Sequence, residues 1–329
     1  MTISTSRRRL ARWSLIGGLL AALAPMAWSQ AAWPSKPVRM IVPFPAGGST
    51  DLVARYLAQG LSEKLGQQFI VENRAGAGGN IGTDAVAKAA PDGYTIALST
   101  SGPLVNNKFL YKNMPFDSDK DLAPIALVCE IPLVIVSHPR VPAKDLKQLL
   151  ALARAKPQEV TVGHPGNGTI GHLALEYMGM VTRTKLTSVP YRGDTPAMTD
   201  LLGGSIQAIS APITAFIPNI SAGKLTGLAV TSRSRYPGLP EIPTAREQGI
   251  DALATVWFAV VGPTGTPPAV IQRLNAEINA ILASTYGRAK LQQYGAVVNS
   301  GPPELLRQLM NEDARKWKQV IETAEIRAE

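Results

Sequence analysis

Val38-Arg-Met-Ile-Val-Pro-Phe-Pro-Ala-Gly-Gly-Ser-Thr-Asp51 decides how the chain is read. Its first half is a near-continuous apolar run, the pattern of a strand buried on both faces. Its second half is a proline- and glycine-rich turn. Residues 51–65 then place Val53, Tyr56, Leu57, Leu61 and Leu65 on one helical face, with Gly66 as the stop. The same sequence of events follows at once. A strand is predicted over 69–72, a glycine-rich stretch over 73–79, and a helix over 80–90 closed by Pro91-Asp-Gly93. Another strand is predicted over 95–99. Strand, helix, strand, helix, strand predicts a parallel sheet with helices on both faces.

Working outward, the apolar run 125–136 reads as a strand long enough to pass from one lobe to another. A second α/β series follows. Helices are predicted over 144–155, 169–180 and 196–202, and strands over 160–163, 187–191, 206–210 and 225–230. After a proline-rich loop at 232–243, the apolar strand 255–261 is the candidate return. Two amphipathic helices, 268–283 and 303–323, close the chain and need a sheet to cover, so they are assigned to the first lobe. The expected fold is α/β, with two lobes built on parallel-dominated sheets and joined by two crossover strands near 128–136 and 252–258. Lobe 1 is expected over 34–130 plus 254–329, and lobe 2 over 131–253.

The N-terminus explains much of the charge. Arg7, Arg8, Arg9 and Arg12 precede an apolar run over 15–24, and Ala27-Trp-Ser29 supplies small residues where a signal peptidase cuts. Residues 1–29 are therefore expected to be a cleaved signal peptide, with cleavage after Ser29 or after Ala31. Their removal takes four arginines and no acid from the formal charge of +9, leaving +5. That balance suits an anionic ligand and does not demand nucleic acid, and an aromatic content of 6% argues against base-stacking modules. The single cysteine, Cys129, excludes an internal disulfide and reads as a small buried hydrophobe. No cysteine stands directly after the leader to carry a lipid, so a mature protein free in the periplasm is expected.

Open parallel sheets bind ligands at the carboxyl ends of their strands, where helix N-termini point. Three glycine-rich turns occupy such places: the one within Pro43–Asp51, Ala75-Gly-Ala-Gly-Gly-Asn-Ile-Gly82, and Gly163-His-Pro-Gly-Asn-Gly-Thr-Ile-Gly-His172. Glycine lets backbone N–H groups approach a ligand, and a helix N-terminus adds partial positive charge. The first and third turns are thus candidate carboxylate cradles, with Ser49, Thr50 and Thr169 as hydroxyl donors. The alternative is that the glycines only permit tight turns. The second turn lacks dinucleotide spacing. Asp51 is read as a helix cap or as the residue that orients its loop. Asp194 is read as a helix cap or as a partner for a donor group on the ligand. His164 and His172 flank the third turn without metal-ligand spacing, so neither a metal nor a cofactor is expected.

The quoted first turn, Val71-Glu-Asn-Arg-Ala-Gly-Ala-Gly-Gly-Asn-Ile-Gly82 and Pro91-Asp-Gly-Tyr-Thr95 resemble the tripartite tricarboxylate transporter receptors, also called Bug solute-binding proteins. So do Val189-Pro-Tyr-Arg-Gly193, Asp200-Leu-Leu-Gly-Gly204, Leu239-Pro-Glu-Ile-Pro-Thr244, Trp257 and Gly262-Pro-Thr-Gly-Thr-Pro267. The resemblance covers the whole mature chain. It implies a periplasmic-binding-protein fold of the second type that closes over its ligand, and a partnership with the membrane subunits of a secondary transporter. It further implies a monomer that binds a small carboxylate, such as an organic acid, an amino acid or an aromatic carboxylate, and performs no chemistry on it. On the matching positions it implies ligand binding by Phe44, Ala46, Gly47, Gly48, Asp51, Gly166, Gly168 and Thr169. Ser49, His172 and Asp194 complete the candidate set. Asp194 departs from the resemblance, standing where a small neutral residue is expected. An acid there would repel a second carboxylate and favour a ligand that carries a donor.

Two other functions share this body. A sensor passing ligand state to a kinase would look the same in sequence. A secreted α/β enzyme would need a nucleophile or an acid–base pair beside the cleft. Its raw material is limited to Asp51, Asp194, His164 and His172.

Overall fold

One long strand links two sheets in the computed structural model, which describes residues 33–327 apart from 158 and 192. The signal-peptide reading of 1–29 lies outside the described residues. β1 (Val38–Val42) pairs in parallel with β2 (Phe69–Asn73) on one side and β3 (Thr95–Thr100) on the other. α1 (Ser49–Leu65) and α2 (Asn80–Ala87) connect them. Apolar periodicity explains α1, which buries Val53, Ala54, Leu57, Ala58 and Leu61 on one face and ends at Gly66 in the left-handed region.

β4 (Leu122–Ser137) is 16 residues long and belongs to both sheets. Its first part pairs with β9 (Thr255–Pro263), Leu122 opposite Pro263 and Pro132 opposite Thr255. Its last part, from Leu133 to Ser137, pairs with β7 (Ala208–Pro212) and β8 (Thr226–Val230). The second sheet continues from β7 through β5 (Thr161–His164) to β6 (Thr187–Pro190), both in parallel. α3 (Leu146–Ala155), α4 (Ile170–Thr182) and α5 (Asp194–Gly203) alternate with these strands. The expected parallel ladders therefore occupy the outer strands. The pairs made by β4 and β9 are antiparallel, so each sheet is mixed. The physical reason is that β4 carries the chain outward and β9 carries it back, and neighbours running in opposite directions pair antiparallel. Just before β9 the returning chain is fixed to β8, where the Ala254 amide donates to Thr231 O at 3.0 Å.

The chain closes with α6 (Pro268–Ala283), α7 (Thr285–Gln293), the short β10 (Val297–Val298) on β4, and α8 (Pro303–Thr323). α6 and α8 have the expected bounds and cover the first sheet, as their apolar stripes require. Leu306 and Met310 of α8 pack with Trp257, Ala259 and Leu127. The second sheet has its own core of Leu146, Leu149, Leu150, Val160, Val162, Leu175 and Met178. Between β3 and β4, helical turns over Gly102–Asn106 and Asn107–Leu110 occupy a segment for which the sequence reading gives no element.

Candidate functional site

The carboxyl ends of β1, β3 and β7 and the turn after β5 converge on a cavity of about 320 Å3. From the first turn and the start of α1 come Phe44, Ser49 and Thr50. From the third turn and the start of α4 come Asn167, Gly168, Thr169 and Ile170. Thr100, Ser101, Gly102 and Asn106 form its floor below β3, and Ile131, Val256 and Phe258 come from β4 and β9. Two helix N-termini thus meet one cavity. α1 is preceded by Gly48, which has no side chain to cap the first-turn amides. α4 is capped by Thr169, whose hydroxyl oxygen accepts from the His172 amide. No charged side chain lines this cavity among the described residues. The positive potential there comes from peptide dipoles.

Both turns are braced from behind. Asp51 is 2% exposed and accepts from the Gly47 amide at 2.9 Å, from Arg55 Nε at 2.9 Å and from Asn73 Nδ2 at 3.0 Å. Asn73 Nδ2 also donates to Phe44 O at 3.1 Å. Burial pushes the Asp51 carboxyl up, but the Arg55, Gly47 and Asn73 hydrogen bonds outweigh it and hold the group below its ordinary range. Gly47 has φ of 82°, a conformation that glycine adopts without strain. In the third turn the Gly168 amide donates to His172 Nδ1 at 3.2 Å. The His172 ring stacks on His164 with centroids 4.3 Å apart. His164 reaches Gly166 O and Ser188 Oγ, at 3.0 and 3.1 Å. Burial first, and then the neighbouring His172, lower its pKa to about 4, so the ring is neutral.

The family model for the tripartite tricarboxylate transporter family receptor matches residues 53–326. The chain belongs to this family. It is 39% identical to Protein BugT of Bordetella pertussis over 308 residues, which is 92% of this chain and 94% of that one. Among solved structures it is similar to Rpa4515 of R. palustris with adipate, with a TM-score of 0.78 and 34% identity. That match covers 90% of this chain and 99% of the other. It is also similar to the periplasmic binding protein BugD, with a TM-score of 0.74, 34% identity and the same coverage.

Within this receptor, five of the residues singled out from sequence line the cavity: Phe44, Ser49, Thr50, Gly168 and Thr169. Ala46, Gly47, Gly48, Asp51, Gly166, His172 and Asp194 do not. Asp51 and His172 instead hold the amides of Gly47 and Gly168. Asp194 opens α5 after Gly193, whose amide donates to Pro165 O at 2.9 Å, beside the third turn. Burial raises its pKa to about 6. Cys129 is fully buried on β4, and that burial, with Glu130 beside it, pushes the thiol far up. The cavity residues that sequence reasoning missed include Thr100, Ser101, Asn106, Asn107, Tyr111 and Phe258. The signal was present for the first two, because Ser99-Thr-Ser-Gly102 lies at the carboxyl end of a parallel strand, where the glycine turns also stand.

Proposed function

We propose that this chain is the periplasmic solute receptor of a tripartite tricarboxylate-type transporter. It captures a small carboxylate between a lobe of residues 34–130 plus 254–329 and a lobe of residues 131–253. The observation that carries this reading is the meeting of two helix N-termini, those of α1 and α4, at one cavity that no charged side chain lines among the described residues. A carboxylate there is held by Ser49 and Thr50 from one side and by Gly168 and Thr169 from the other. Asp51 and His172 keep the two turns in shape. Supporting this is the adipate in the structure of the related Rpa4515. The periplasmic setting is supported by BugD and by the leader-like residues 1–29. The receptor acts as a monomer, hands its ligand unmodified to the membrane subunits, and uses no metal or cofactor.

Calorimetric titration of the purified protein with a panel of small organic, amino and aromatic acids tests the reading. At least one acid is expected to bind with a micromolar or tighter Kd, to raise the melting temperature, and to reduce the radius of gyration in solution scattering. Saturating acids that leave the melting temperature unmoved overturn the reading, and so does recovery of a chemically altered ligand.

A further inference from the structure

The cavity floor contains side chains that carboxylate binding at the helix ends leaves unused. Thr100 and Ser101 end β3 and begin the turn that follows it, and Asn106 closes the helical turn Gly102–Asn106. All three line the cavity while being only 6%, 2% and 2% exposed. Among the described residues none of these side chains has a hydrogen-bond partner, and the Asn106 side-chain oxygen is wholly buried.

Their neighbours are different. Thr83 Oγ1 and Ser99 Oγ lie 3.2 Å apart, and Asn107 Nδ2 donates to Gly78 O at 3.1 Å and to Asn80 Oδ1 at 2.6 Å. Buried polar groups without partners destabilise a fold, whereas apolar groups of the same shape would not. Asn106 Oδ1 is one such group, and beside it the Thr100 and Ser101 hydroxyls, without a partner among the described residues, line a cavity and are placed for something that enters it.

The chemistry of that guest follows from the lining. Among the described residues no Lys, Arg or His lines the cavity, so a second carboxylate would find no counter-ion among them. Two hydroxyls and a carboxamide both donate and accept, which matches a group that does the same. Phe44, Leu110, Ile131, Ile170, Val256 and Phe258 supply an apolar wall for the rest of the ligand.

We infer that Thr100, Ser101 and Asn106 form a specificity subsite for an uncharged hydrogen-bonding group, such as a hydroxyl, a carboxamide or a ring nitrogen. That group is carried on the apolar body of a ligand whose single carboxylate sits at the helix ends. This rests on the carboxylate-receptor reading above.

The test is titration calorimetry on the purified wild type, Asn106→Leu and Thr100→Val with matched pairs of acids. Suitable pairs are hexanoate with 6-hydroxyhexanoate, benzoate with 3- and 4-hydroxybenzoate, and benzoate with nicotinate. In the wild type at least one substituted acid should bind about tenfold tighter than its parent, the size of one well-made buried hydrogen bond. In either variant that ratio should fall to about one. Ligand-free Asn106→Leu should melt no lower than wild type, because it removes an unpaired group; a variant that melts lower or fails to fold overturns the assignment of Asn106, and Thr100→Val tests binding independently. Equal binding of substituted and parent acids, a ratio that survives both substitutions, or a lower ligand-free melting temperature for Asn106→Leu overturns the subsite while leaving carboxylate binding intact. If no acid in the wider panel binds, the receptor reading itself falls, and the subsite with it.

Discussion

Asp51 shows how a residue serves a ligand without lining its cavity. Its carboxylate faces its own loop, receiving the Gly47 amide and Asn73, and Arg55 pairs with it one helical turn on. Asp194 has no such company. Its Oδ1 is buried and unpartnered among the described residues, and burial raises its pKa from 3.8 to about 6. A carboxyl with a raised pKa favours the folded state only while protonated. Its contribution is complete below the unfolded value and is lost as pH rises through about 6. Asp194→Asn should therefore stabilise the ligand-free protein at pH 8 by roughly 1–2 kcal/mol, with the gain disappearing toward pH 4. Scanning calorimetry at both pH values checks this, and an equal difference at the two would refute it. The residue types of the two cradles were legible in sequence because glycine turns announce themselves. Which amides point at the cavity was not, because Asp51 and His172 compete for them with any ligand.

At the scale of elements, the third turn depends on how closely α4 approaches β7. A Cβ on Gly171 would lie 2.4 Å from Ser210 O and 2.9 Å from Pro165 Cδ, and both belong to parts of the chain that cannot easily give way. Gly171→Ala should cost about 1–3 kcal/mol in urea denaturation, the usual penalty for overpacking. It should also weaken carboxylate binding, since Gly168 and Thr169 ride on the displaced helix start. A denaturation midpoint equal to wild type would show that the helix shifts freely. Elements with a strong apolar stripe were readable from sequence, and α6 and α8 begin and end where periodicity places them. α7 was not, because Thr285–Gln293 buries only Gly287 and Leu291 and has no stripe to detect.

Across the whole molecule, α8 ties the end of the chain to the frame around the cavity. Trp257 Nε1 on β9 donates to Asp313 Oδ2 at 2.8 Å, and Lys316 pairs with the same carboxylate. Further along, Trp317 packs with Leu133 of β4 and with Ile170, Leu173 and Ala174 of α4, so one helix contacts both the returning strand and the helix behind the third turn. Asp313→Ala leaves a buried indole N–H and a lysine without their acceptor. It should destabilise the protein by roughly 2–4 kcal/mol, seen as a lower melting temperature, and a change within error would place the anchor elsewhere. By itself the sequence determined the α/β class, the alternation of strands and helices, the glycine turns, and the return of the C-terminal helices to the first sheet. Those features are written in local periodicity and turn chemistry. Sequence length and apolarity already marked 125–136 as a strand crossing between the lobes; only the tertiary structure decided that the central pairs run antiparallel and that Thr100, Ser101 and Asn106 line the cavity. Strand pairing and the competition for hydrogen bonds join residues far apart in the chain, and no local pattern records them.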